Sequence, residues 1–100
     1  MPERACLAID LGTTSCKAVV LSESLRPLGW GEARFATSHP APRACEQEPD
    51  DWWRAAVEAS REALSKAGDA RIEAISLSSQ REGAVLLDES LRPIRPAIVL

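Results

Sequence analysis

Residues 8–17 read Ala-Ile-Asp-Leu-Gly-Thr-Thr-Ser-Cys-Lys. An apolar segment ends in an acid, a glycine and three hydroxyl side chains, and a lysine then opens the next apolar segment. This is the outline of a phosphate-binding hairpin. Gly12 lets the backbone pass close to a ligand, so that N–H groups of the turn can face phosphate oxygens. Asp10, at the end of the first segment, has the chemistry to hold a hydrated Mg²⁺ beside them, because that ion takes one or two carboxylates and keeps several waters. Lys17 adds positive charge from the following segment. The competing reading is a plain β-turn in which Asp10 caps backbone amides; the order of strand, acid, glycine and hydroxyls favours phosphate.

Other reactive residue types give weaker signals. Cys6, Cys16 and Cys45 are odd in number and lack C-x-x-C spacing, and the single histidine, His39, lies in a Pro-rich stretch away from any partner. Neither a zinc site nor a disulfide framework is expected. Cys6 and Cys16 read as small core residues on strands and Cys45 as a loop thiol with nothing nearby to activate it. Taken alone, Gln80-Arg81-Glu82 is a solvated turn with an incidental ion pair worth at most about 1 kcal/mol.

Composition bounds the rest. One hundred residues support one domain at most, burying roughly 60–70% of the unfolded surface. An apolar content of 45% suits a globular chain, and a formal charge of −3 from interspersed acids and bases offers no basic face to nucleic acid or to a membrane. There is no long apolar run and no signal-like N-terminal segment, so the expected setting is soluble and cytoplasmic.

The elements that must position the hairpin follow from periodicity. Cys6 to Asp10 and Lys17 to Leu21 are two short strands that pair across the Gly-Thr-Thr-Ser turn, and the turn 23–27 leads to a third strand through Trp30 and Phe35. Thr37 to Cys45 reads as a surface loop. Glu48-Pro49-Asp50-Asp51 opens a helix, with proline suited to its first turn and acids to its positive end. Trp53, Val57, Ser60 and Leu64, with Ala56 and Ala67, form its expected apolar stripe, with both Trp52 and Trp53 as packing residues; Gly68 stops it. Further strands are expected at Ile72 to Leu77 and Gly83 to Leu87. Residues 20–28 and 86–94 echo each other around Glu-Ser-Leu-Arg-Pro, which marks two hairpins of like turn chemistry. The apolar Ile98-Val99-Leu100 is expected to be an unpaired strand, as in a piece of a larger protein.

Read together, these segments carry a resemblance. Residues 8–17 resemble the first phosphate motif of the actin-like ATPase superfamily. Glu46-Gln47-Glu48-Pro49-Asp50-Asp51-Trp52-Trp53 and Ser78-Ser79-Gln80-Arg81-Glu82-Gly83-Ala84-Val85-Leu86-Leu87-Asp88 resemble the N-terminal domain of FGGY-family carbohydrate kinases, the group that holds glycerol kinase and xylulokinase. The match runs through nearly all 100 residues in order.

The resemblance implies an α/β, ribonuclease H-like (actin-like ATPase) domain, present here as an incomplete N-terminal portion of the first kinase domain over residues 1–100. It is expected to start with three antiparallel strands, followed by a helix and further strands. It implies ATP and Mg²⁺ as cosubstrates and transfer of the γ-phosphoryl to a hydroxyl of a sugar or polyol, and it allows a homodimer for the full-length enzyme. By position Asp10 acts on the metal or its waters, Gly12, Thr13 and Thr14 on the β- and γ-phosphates, and Lys17 on the transferring group. Arg81 and Glu82 match a pair that binds substrate hydroxyls, with Gln80 beside them; a guanidinium donates to a hydroxyl and a carboxylate accepts from it. The catalytic base, the second phosphate motif and the adenosine pocket are implied to lie beyond Leu100, so this chain alone is expected to be inactive and marginally stable or self-associating.

Two departures bear on substrate. Xylulokinases usually carry Met-His where this chain has Arg81-Glu82, which leans toward the polyol-binding version. Where glycerol kinase has a tryptophan after Ala-Ile-Val, this chain has Leu100, which argues against glycerol and leaves another polyol, a ketose or a similar small compound. The alternative from another class is a chaperone-type or actin-like nucleotide switch, which needs neither Gln80-Arg81-Glu82 nor the Glu-Gln-Glu-Pro segment. A weaker third reading is a noncatalytic sugar-sensing fragment.

Overall fold

Small and aliphatic residues alternate through the first third of the chain, and there they form three strands: β1 (Arg4–Leu11), β2 (Ser15–Ser22) and β3 (Pro27–Arg34). The computed structural model describes residues 2–99. The three strands pair antiparallel, with Asp10 opposite Lys17 and Lys17 opposite Glu32. After β4 (Cys45–Gln47) and the helix α1 (Pro49–Lys66), β5 (Arg71–Ser79) returns to lie parallel to β1, giving the sheet order β3-β2-β1-β5. A parallel partner needs a long crossover, and α1 supplies it.

The helix begins and ends as its residues dictate. Pro49 occupies the first turn with Asp50 and Asp51, Lys66 sits in the last, and Gly68 adopts a left-handed φ of 66° beyond the C-cap. Its buried face differs from the expected stripe. Ala55, Ala59 and Ala63 are wholly buried, whereas Trp53 is 74% exposed and Leu64 sits at the surface. The reason lies in β3: a Cβ on Gly29 would stand 2.3 Å from the Ala63 carbonyl oxygen, and one on Gly31 2.4 Å from that of Ala59. Backbone meets backbone so closely that only alanine fits between, and size alone is a poor guide to the docking face. Trp52, Ala56 and Ala67 do pack against the core, which Leu7, Cys16, Ala18 and Val20 complete from the sheet and Phe35 from just beyond β3.

Residues 37–45 are less loop-like than expected. Ser38 bridges Glu46, and Cys45 belongs to β4. A second sheet, ordered β4-β7-β6, joins β4 to β6 (Gly83–Ala84) through β7 (Ala97–Val99). The apolar segment expected to be unpaired is therefore, as far as Val99, the central strand of a sheet; Leu100 lies outside the described residues. The strand expected over Gly83 to Leu87 is cut to two residues because the chain from Leu86 to Ile94 folds on itself, with Leu87 bridging Pro93 and the Ile94 N–H donating to the Leu86 carbonyl.

The internal echo is structural. In the first copy the Leu25 and Ser22 N–H groups donate to the Ser22 and Arg26 carbonyls; in the second, those of Leu91 and Asp88 donate to the Asp88 and Arg92 carbonyls. Leu25 and Leu91 both have left-handed φ, 65° and 63°. In each turn the Arg N–H also donates to the side chain four residues before it, Ser22 Oγ or Asp88 Oδ1. Among the described residues no helix is long and apolar enough to cross a membrane.

Candidate active site

Parallel pairing of β1 with β5 sets Leu11 beside Ser79, so the carboxyl ends of both strands open on the same edge of the sheet. Ligands of α/β sheets bind at such edges. There the turn of residues 12–14 meets residues 80–82, and Thr13, Gln80, Arg81 and Glu82 line a cleft of about 470 Å³. The turn is closed by the Gly12 N–H, which donates to the Ser15 carbonyl at 2.9 Å, and its far side is held by the Phe35 N–H on the Thr14 carbonyl at 3.2 Å. A Cβ at Gly12 would stand 3.2 Å from the Ser15 oxygen, tight enough to disturb that closure.

Asp10 and Lys17 face each other across the β1–β2 ladder and are exposed. They line a second cavity of about 340 Å³, with Trp30, Ser76 and Ser78, on the sheet face turned away from α1. The sequence-derived site residues thus form two groups, Thr13 with residues 80–82 and Asp10 with Lys17, joined by the short turn. Among the described residues neither Asp10, Lys17, Arg81 nor Glu82 is held in an ion pair. Arg81 and Glu82 are both exposed.

Gln47, to which sequence reasoning gave no role, sits at the centre of the edge. It is 3% exposed. Its Nε2 donates to the Thr13 carbonyl and to Thr37 Oγ1, both at 2.8 Å, while its Oε1 accepts from Trp52 Nε1 at 2.8 Å and from Gln80 Nε2 at 3.0 Å. Gln80 Nε2 also donates to the Gly12 carbonyl at 3.3 Å. The only hint in the sequence is a neutral amide among acids just before the helix.

The cysteines divide. Cys16 is wholly buried, and burial first, then the negative charge of Asp10, pushes its thiol up, which suits a core residue. Cys6 is half-buried. Cys45 and His39 are not isolated: the bridge at Ser38 brings Cys45 Sγ within 3.5 Å of His39 Nδ1. Among the described residues no three His, Cys, Asp or Glu side chains gather as a metal cluster.

A short acid-glycine-hydroxyl turn thus lies at the carboxyl edge of a mixed sheet, beside Arg81 and Glu82, on an incomplete actin-like ATPase fold. The description "FGGY family of carbohydrate kinases, N-terminal domain" matches residues 5–100, and the chain belongs to that family. It is 42% identical over 103 residues to a glycerol kinase of Rhodospirillum centenum, an alignment covering 99% of this chain and 21% of the relative. A xylulose kinase from Rhodospirillum rubrum superposes with a TM-score of 0.91 at 28% identity, over 96% of this chain and 20% of that one. A kinase from Brucella ovis, described as a xyloylose kinase, gives 0.87 at 38% identity, over 95% and 20%. The chain therefore spans about a fifth of the length of the relatives it matches. Membership of a carbohydrate kinase family favours the kinase reading over the nucleotide switch.

Proposed function

We propose that this chain is the N-terminal portion of the first domain of an ATP-dependent carbohydrate kinase that transfers the γ-phosphoryl of ATP to a hydroxyl of a small polyol or sugar. The observation that carries the reading is the shared cleft in which Thr13 meets Gln80, Arg81 and Glu82. The nearness of the Gly-Thr-Thr turn to Arg81 and Glu82 supports transfer between two reactants bound side by side.

In this reading the N–H and hydroxyl groups of Gly12, Thr13 and Thr14 hold the β- and γ-phosphates, and Lys17 adds charge toward the transferring group. Arg81 donates to acceptor hydroxyls, Glu82 accepts from them, and Gln80 completes that shell through its Oε1. The donor chemistry fits Mg²⁺: Asp10 is one exposed carboxylate without a protein cation on it, suited to an ion that keeps most of its waters. Bound there, the ion would supply charge neutralisation for the phosphates. The base that takes the hydroxyl proton belongs to the part of the enzyme after residue 100, and a homodimer and a cytoplasmic setting complete the proposal. Both glycerol kinases and xylulose kinases are among the relatives; Arg81-Glu82 in place of Met-His favours a polyol.

The test is to incubate the full-length parent protein with Mg-ATP and a panel of polyols and ketoses and to detect product by mass spectrometry. The reading expects one compound, or a narrow set, to gain a single phosphoryl group. ATP consumed at the same slow rate whatever compound is present, with no phosphorylated product, would refute it.

A further inference from the structure

We infer that Gln47, acting with Gln80, is a positioning residue that aims the backbone N–H groups of the phosphate turn outward. The inference rests on the proposed reading of that turn and deepens it.

A primary amide offers two donors and two acceptor positions, and Gln47 fills all four. Its orientation is pinned, because the indole N–H of Trp52 can only donate and so must face Oε1. That leaves Nε2 turned toward the Thr13 carbonyl. Gln80 Nε2 is fixed in turn between Gln47 Oε1 and the Gly12 carbonyl.

These two carbonyls decide what the turn presents. Among the described residues no peptide bond is cis, and in a planar trans peptide the C=O and the following N–H point in opposite directions. Drawing the Gly12 carbonyl toward Gln80 therefore sends the Thr13 N–H the other way. Drawing the Thr13 carbonyl toward Gln47 does the same for the Thr14 N–H. Two donors of the phosphate turn are thus oriented from behind by side chains on β4 and just past β5, neither of which needs to touch phosphate. Because Gln80 adjoins Arg81 and Glu82, one network also fixes the distance between the phosphate side and the hydroxyl side of the cleft.

The experiment uses the full-length parent with Gln47→Glu, which keeps the acceptors and loses both donors, Gln80→Met, and the double variant. ADP affinity is measured by calorimetry and amide exchange at the turn by mass spectrometry. Gly29→Ala serves as the stability control, since it strains the helix contact toward the other end of β3. Each single variant is expected to weaken ADP binding about tenfold, the double variant by less than the product of the two, and exchange at Gly12 to quicken. The control should lower the unfolding midpoint and leave ADP affinity alone. ADP affinity within about twofold of the parent in both single variants would overturn the inference. Should the parent itself fail to bind ADP, the nucleotide reading falls, and Gly12 exchange decides alone: faster exchange upholds the anchoring, and unchanged exchange overturns it.

Discussion

Replacing Gly31 by alanine isolates the contact on which the architecture depends. The added Cβ would stand 2.4 Å from the Ala59 carbonyl oxygen and 2.6 Å from the Glu62 Cβ, the first of these being helix backbone that cannot rotate away. Restoring ordinary contact requires α1 to lift by about 1 Å, which unseats Ala55, Ala59 and Ala63 together. Overpacking of this kind costs about 3 kcal/mol, the upper end of the usual range. In a unit of 150–250 residues that lowers the thermal midpoint by roughly 6–12 °C. The comparison is Gly83→Ala, where the nearest atom to an added Cβ is a Val99 side-chain carbon at 3.6 Å and the effect should stay within about 0.5 kcal/mol. Both variants are made in the full-length protein and followed by calorimetry. Equal midpoints for the two would refute the claim that close backbone approach sets the helix's docking face.

Other outcomes follow from single contacts. Glu62 Oε1 accepts the Glu32 backbone N–H at 2.9 Å, and that bond first, then Lys66, holds its carboxyl below the usual range. A lowered folded-state pKa gives stability that is present above the ordinary carboxylate value and lost as pH falls through the folded one; Glu62→Gln should therefore flatten the acid limb of a stability-against-pH profile, and an unchanged limb would contradict the assignment. Leu25 and Leu91 hold left-handed φ at 76% exposure each. Since that conformation costs a side chain roughly 1–2 kcal/mol and asparagine tolerates it best, Leu25→Asn should raise the unfolding midpoint, and a lower midpoint would show the leucine to be packed by something outside these residues. Gly12→Ala should raise the KM for ATP several-fold with little change in the acceptor KM, because the Cβ crowds the closure of the turn at Ser15; an unaltered ATP KM would remove the turn from the phosphate site.

The sequence made the local chemistry legible and the long-range geometry much less so. The β1–β2 hairpin, the helix with its proline start and Gly68 stop, and the twin Glu-Ser-Leu-Arg-Pro turns were all readable because each is set by neighbours in the chain. The helix's buried face was not, since it depends on which glycines of β3 lie beneath it, and no periodicity within α1 contains that information. The parallel pairing of β1 with β5, which brings Thr13 to Gln80, and the burial of Gln47 are likewise products of residues more than 30 positions apart. His39 and Cys45 were separated on sequence and are joined by a bridge that a proline-rich stretch gives no cue to.

The most direct test of the central claim is steady-state kinetics on the full-length enzyme and its Arg81→Ala variant with the preferred acceptor, varying ATP and acceptor in turn. Loss of a charged hydrogen bond is worth roughly 1.5–3 kcal/mol, so the account predicts that kcat/KM for the acceptor falls by about 10- to 100-fold while the KM for ATP stays within about twofold. An acceptor kcat/KM equal to that of the parent, or a loss confined to ATP, would contradict the placement of the hydroxyl clamp at Arg81 and Glu82.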